Sequence, residues 1–120
     1  MKKHSALLTL SAALLFSPLA LAATSSNSDL VSRGEYLARA GDCTACHTAA
    51  GGAEYAGGYK FNMPMGTIVA PNITSSVQYG IGNWVEVDFA KAVRQGVRPD
   101  GSHLYPQMPY TSYATVNDED

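Results

Sequence analysis

Cys43-Thr44-Ala45-Cys46-His47 sets two thiols three positions apart, with an imidazole directly after the second. The spacing C-x-x-C-H is that of covalent haem attachment. Two such thiols can add to the two vinyl groups of one porphyrin as thioethers, and the histidine that follows is placed to give a ring nitrogen to the iron. These two are the only cysteines in the chain. The plainer alternative is a C-x-x-C disulfide or a redox dithiol, although a thioredoxin-like site needs an alternating strand and helix pattern that this chain lacks. His47 read by itself would be an ordinary polar residue.

A six-coordinate iron needs a second axial ligand, for which Met63, Met65, Met108 and His103 are candidates. A thioether is a soft donor that favours ferrous iron, so methionine in that place raises the reduction potential and suits electron transfer. Met108 is the expected ligand. Pro106 and Pro109 stiffen the chain on either side of it, and Tyr105 and Tyr110 can pack on the ring. Met63 and Met65, in Met-Pro-Met-Gly, read as loop residues covering apolar surface, and His103, after a Gly-Ser turn, as a surface or hydrogen-bonding histidine. Trp84, the single tryptophan, has two readings: a core anchor, or an indole donor to a haem propionate. Asn72-Ile73-Thr74 matches the glycosylation acceptor pattern, a three-residue match treated as chance.

The elements that must position these residues can be read along the chain. Met1-Lys2-Lys3-His4, an uncharged apolar stretch around Ala6 to Phe16, Pro18 and then Ala20-Leu21-Ala22 read as a secretory signal over residues 1–22. It is too short and too interrupted for a membrane span, and no other segment offers one. Export makes a disulfide chemically permissible. Residues 23–29 read as a flexible leader that supplies a helix cap at Ser28 or Asp29. From Leu30, apolar or small residues recur at 30, 34, 37, 38 and 41, the stripe of an amphipathic helix ended by Gly41-Asp42. Gly34 on that stripe costs helix stability, and close approach by another element is the expected compensation.

From Ala49 to Asn83 glycines and prolines interrupt every period, so the segment reads as a loop-rich wrap that packs on a ligand. A second helix gathers Val85, Phe89, Ala92, Val93 and Gly96 on one face, with Glu86 and Asp88 in its first turn and Arg94 near its end, the order that suits the helix dipole. Turns follow at Arg98-Pro99-Asp100-Gly101. Only three leucines, Leu30, Leu37 and Leu104, remain after the signal, a thin core for one small domain, so a non-protein group is expected to complete it. With the signal lysines removed, acidic residues outnumber basic ones, which argues against a nucleic-acid partner.

Arg33-Gly34-Glu35-Tyr36-Leu37-Ala38-Arg39-Ala40-Gly41-Asp42 running into Cys43–Thr48, with Gly80-Ile81-Gly82, Asp88-Phe89, Val93-Arg94-Gln95-Gly96-Val97 and Tyr105-Pro106-Gln107-Met108-Pro109-Tyr110, resembles a known family. That family is the first haem domain of the cytochrome c subunits of bacterial membrane-bound alcohol, aldehyde and gluconate dehydrogenases, and the resemblance covers about residues 30–120. It implies a mostly α-helical, class I c-type cytochrome domain with long haem-wrapping loops. It further implies one covalent haem c on Cys43 and Cys46, with iron between His47 and Met108. The function implied is periplasmic one-electron transfer, with no bond-making chemistry of its own. Electrons would come from the catalytic subunit of a partner dehydrogenase and pass towards membrane quinone or a terminal oxidase, the chain lying in the periplasm, peripheral to the inner membrane. Family subunits carry three such domains and a membrane-associating C-terminal segment. Here there is one motif, and the helix expected after Asp118-Glu119-Asp120, crossing the first helix at Gly34, is missing, so residues 30–120 read as a domain incomplete at its C-terminus. Val85 also stands where a capping Ser or Thr is expected. The rival readings are a haem-based small-ligand sensor or peroxidase-like protein with a labile distal ligand, a non-functional truncated fragment, and a non-haem disulfide protein.

Overall fold

A computed structural model describes residues 26–120. The expected signal over 1–22, and residues 23–25 of the expected leader, lie outside the described residues. The elements in order are α1 (Asn27–Ala40), α2 (Cys43–His47), β1 (Lys60–Met63), β2 (Gly66–Val69), α3 (Glu86–Gln95) and α4 (Tyr110–Tyr113).

The first helix starts earlier than the apolar stripe suggests. Its N-cap is Ser26, whose Oγ accepts from the Asp29 N–H at 3.2 Å while an Asp29 carboxylate oxygen accepts from the Ser26 N–H at 3.2 Å. That reciprocal pair satisfies two orphan donors at once, which neither Ser28 nor Asp29 as the cap would do. Residues 26–29 are therefore cap and first turn, not leader. The other end is as expected: Gly41 caps α1, and Asp42 takes a left-handed conformation (φ 57°) that re-aims the chain into α2.

The loop-rich wrap contains a hairpin that its broken periodicity concealed, so the domain is a few short helices with a small sheet added. β1 and β2 pair antiparallel, Phe61 opposite Ile68 and Met63 opposite Gly66, with Pro64-Met65 as the two-residue turn. Phe61, Met63 and Ile68 are half-buried while Lys60, Asn62 and Thr67 face water. The alternation is short, but it is the period-2 signature of one covered face.

α3 forms where expected, with Val85 as an N-cap that has no side-chain oxygen. The Asp88 carboxylate substitutes by accepting from the Val85 N–H at 3.3 Å. Gly96 ends the helix in a left-handed conformation (φ 68°), and a Cβ there would stand 2.7 Å from the Tyr110 ring. Only glycine meets both demands, and through this contact α4 packs on α3. Tyr113 on α4 donates its hydroxyl to the Gly41 carbonyl at 2.6 Å, tying the C-terminal part to the turn between α1 and α2.

No such neighbour exists for Gly34, where an added Cβ would meet nothing within 4 Å. The close approach expected there is absent among the described residues. Gly34 instead lines a groove of about 580 Å³ between α1 and α3, with Leu37, Phe89, Val93 and Val116. Its rim carries two ion pairs that bring the C-terminal residues across both helices, Arg33 with Asp120 at 2.5 Å and Arg94 with Asp118.

The described core is small. Ala70 and Ala92 are the buried apolar residues, and no large side chain is fully buried among the described residues. The bigger apolar side chains face a common cavity rather than one another.

Candidate functional site

His47 ends the short helix α2, and its carbonyl accepts from the Gly57 N–H at 2.7 Å. Gly57 has φ 76°, and a Cβ on it would lie 2.5 Å from the Pro71 carbonyl carbon. Its missing side chain thus lets three separate strands of chain meet: the end of α2, residue 57 and residue 71. One result is that His47 Nδ1 lies 2.8 Å from the Pro71 carbonyl oxygen. A carbonyl only accepts, so Nδ1 carries the proton, and in the neutral ring the lone pair is on Nε2. The residue is 9% exposed and lines the large cavity. A histidine so fixed through one nitrogen has its ring orientation and tautomer set for a metal on the other.

That cavity has a volume of about 660 Å³, within the range of about 300–1,000 Å³ usual for ligand and cofactor sites. Cys43 and Cys46 line it, half-buried and unbonded to each other. Burial pushes the Cys43 thiol up from its ordinary value; a backbone hydrogen bond partly offsets this, and the nearby Asp42 and Cys46 charges reinforce it. A redox dithiol needs the opposite, a thiolate favoured by its surroundings. The rest of the wall is apolar: Phe61 and Ile68 from the hairpin, Ile73, Ile81, and Phe89, Ala92 and Val93 from α3.

Of the four candidates for the second axial position, Met108 lines the cavity. The loop around it is pinned by the Met108 N–H on the Tyr105 carbonyl at 3.0 Å and the Tyr110 N–H on the Met108 carbonyl at 2.8 Å. Met63 and Met65 lie outside the wall. The Met63 sulfur accepts from Gln107 Nε2 at 3.1 Å, and the exposed Met65 sulfur accepts from the Tyr105 hydroxyl at 3.2 Å. His103 is exposed, in a bridge to Val97. Trp84 is half-buried and lines the cavity, its backbone N–H donating to the Ile81 carbonyl at 2.9 Å. Tyr105 lines it as well, whereas Tyr110 does not: its ring is taken by Gly96. Asn72 closes a local turn, its Oδ1 accepting from the Thr74 N–H and hydroxyl.

Several wall residues had no signal in the sequence. Pro71 acts through its carbonyl, which no side-chain pattern advertises. Tyr55 is held left-handed (φ 61°) by its N–H on Thr48 Oγ1 at 3.1 Å and its carbonyl on the Ile73 N–H at 2.9 Å. The Tyr55 hydroxyl and Gln107 Oε1 are buried without a partner, and both residues line the cavity. A wall that is mainly apolar, with two unpaired polar atoms, two thiols, a lone imidazole nitrogen and a thioether, fits a large flat apolar group with polar edges. Among the described residues no group of three or more His, Cys, Asp or Glu side chains could hold a metal ion.

No protein-family model matches the chain. Individual relatives do. The cytochrome c subunit of gluconate 2-dehydrogenase from Pantoea cypripedii is 56% identical over 101 residues, covering 84% of this chain and 23% of its own length. The cytochrome c subunit of alcohol dehydrogenase (quinone) from Gluconobacter oxydans (strain 621H) is 52% identical over 91 residues, 76% of this chain and 19% of its own. The cytochrome subunit of fructose dehydrogenase from Gluconobacter japonicus is also 52% identical over 91 residues, 75% and 19%. The chain spans about a fifth of the length of these relatives. By these identities the chain is a homologue of one segment of the cytochrome c subunits of gluconate, alcohol and fructose dehydrogenases.

Proposed function

We propose that the chain carries one covalent haem c and passes single electrons. The observation that carries this is the joint placement of Cys43, Cys46, His47 and Met108 on one cavity, with His47 Nδ1 committed to Pro71 and Nε2 left to donate. Bound haem supplies an iron that alternates between two oxidation states. The protein does the rest: Cys43 and Cys46 would hold the group as thioethers, and His47 Nε2 and the Met108 sulfur would be the ligands to its iron. The apolar wall from the hairpin and α3 would keep water off the ring, and Trp84, on the same wall, would offer its indole N–H to a propionate. With both His47 and Met108 as ligands the iron would have no open coordination site, which would favour electron transfer over ligand binding.

The fold is that of a class I c-type cytochrome, in which a helix crossing α1 at Gly34 would close the groove between α1 and α3. The catalytic subunit of a dehydrogenase is the donor, and the quinone or terminal-oxidase side of a respiratory chain is the acceptor. The place is the periplasm, after removal of residues 1–22, at the surface of the inner membrane. Among the described residues no helix is long and apolar enough to cross a membrane.

The test is production with a haem-attachment system in a bacterial periplasm. The expected product starts at Ala23, keeps its haem on a denaturing gel, gains the mass of one haem and shows a six-coordinate low-spin spectrum with a methionine signature. A full-length product whose only modification is a Cys43–Cys46 disulfide would sink the reading.

A further inference from the structure

Three of the four arginines among the described residues have carboxylates in reach: Arg33 with Asp120, Arg39 with Glu35 and Glu54, and Arg94 with Asp118. Arg98 has none within 4 Å among those residues, and it is the arginine that lines the large cavity. Its backbone is fixed by a tight turn. The Arg98 N–H donates to the Ser102 carbonyl at 2.9 Å, the Gly101 N–H to the Arg98 carbonyl at 2.9 Å, and Val97 bridges His103. The nearest acid in sequence, Asp100, is drawn away: its Oδ1 accepts from the Ser102 N–H at 2.9 Å and the Ser102 hydroxyl at 2.6 Å. Asp42 is the one acid on the cavity wall, and it sits on the turn into α2 beside Cys43.

We infer that Arg98 is a cofactor-binding residue that holds a propionate carboxylate of the haem; this rests on the haem reading above. Arg98 is exposed at the cavity, so its guanidinium is hydrated and free to turn towards a ligand edge, and the haem edge brings carboxylates that need a cation when taken out of water. Arginine suits the task because its planar fork can grip both oxygens of a carboxylate, which a lysine ammonium cannot do. The short turn from Val97 to His103, closed by its backbone bonds and by the Asp100–Ser102 contacts, fixes the Arg98 backbone at the cavity wall. Such a cation disfavours the more positive, ferric state of the iron and neutralises a carboxylate that would favour it. Both effects raise the reduction potential.

The test compares the haem-loaded wild type with Arg98→Gln, Arg98→Lys and a charge control, Lys91→Gln, which removes the same charge from an exposed position on α3 off the cavity wall. Redox titration should show a lower potential for Arg98→Gln, a value nearer wild type for Arg98→Lys, and no comparable fall for Lys91→Gln. Reduced-minus-oxidised infrared spectra should show the carboxylate stretch shifted in Arg98→Gln only. Equal potentials and identical carboxylate bands in Arg98→Gln and Lys91→Gln would overturn the assignment while leaving the haem reading intact. A wild type that carries no haem would instead overturn the haem reading itself.

Discussion

His47 Nδ1 and the Pro71 carbonyl oxygen, 24 residues apart in sequence, stand 2.8 Å from each other because Gly57 lets the chain at residue 71 come close. This contact decides which imidazole nitrogen faces the cavity. Gly57→Ala should break it, since the new methyl would sit 2.5 Å from the Pro71 carbonyl carbon at a left-handed φ of 76°. The conformation alone costs about 1–3 kcal/mol. Melting should fall by roughly 4–8 °C per kcal/mol, and the His47 ring N–H resonance should lose its protection from exchange. An unchanged melting temperature with a protected N–H would show that residue 57 does not set the histidine.

Met108 and its two rivals separate by position. Met108→Ala should open an axial site, so that cyanide or carbon monoxide binds quickly and the reduction potential falls. Met63→Ala and Met65→Ala should do much less, because those sulfurs accept from Gln107 and Tyr105 outside the cavity wall. A high-spin spectrum in Met63→Ala or Met65→Ala, with Met108→Ala unaffected, would reverse the assignment.

The motif at Cys43–His47 and the stripes of α1 and α3 were legible because each repeats a local rule over several residues. The hairpin was not, since only Phe61, Met63 and Ile68 show the alternation and Gly66 interrupts it. The Ser26–Asp29 box stands in the sequence as S-x-x-D, but Ser28 and Asp29 offer competing caps nearer the apolar stripe. Pro71, Tyr55 and Arg98 belong to the site through long-range packing: a carbonyl, a left-handed tyrosine and a turn-borne cation, none of which has a signature in a single sequence. Tyr110 went to Gly96 rather than to the cavity because the helix end at residue 96 needed a flat side chain over its bare backbone.

Asp100 gives the turn that carries Arg98 a pH dependence. Hydrogen bonds from the Ser102 side chain and then its N–H hold the Asp100 carboxyl below its ordinary value, and the Arg98 charge adds to this. A depressed carboxylate stabilises the turn above its unfolded pKa of about 3.9, and that contribution is lost as pH falls through the lower folded value. The Ser102 amide should therefore stay protected from exchange at neutral and mildly acid pH and lose protection only in stronger acid. Asp100→Asn should remove the pH dependence. Protection of the same depth at every pH, in both proteins, would show that the carboxylate does not hold the turn.

Gly34 supplies the last prediction, because the space over it is open. In mid-helix, glycine costs about 0.5–1 kcal/mol relative to alanine, through the freedom that the unfolded chain loses. Gly34→Ala adds a methyl that meets nothing within 4 Å, on a helix with no buried residue. If the groove beside Leu37, Phe89 and Val93 stays open in solution, the variant should melt a few degrees higher than the wild type, independently of protein concentration. A helix or a second copy packed against Gly34 would reverse the sign, since the methyl would hold it off and forfeit buried apolar area at ~25 cal/mol per Å². Calorimetry on both proteins at several concentrations reads the sign directly. A lower melting temperature for Gly34→Ala, with the difference growing as the protein is concentrated, would show that this face of α1 is covered by another copy rather than open to water.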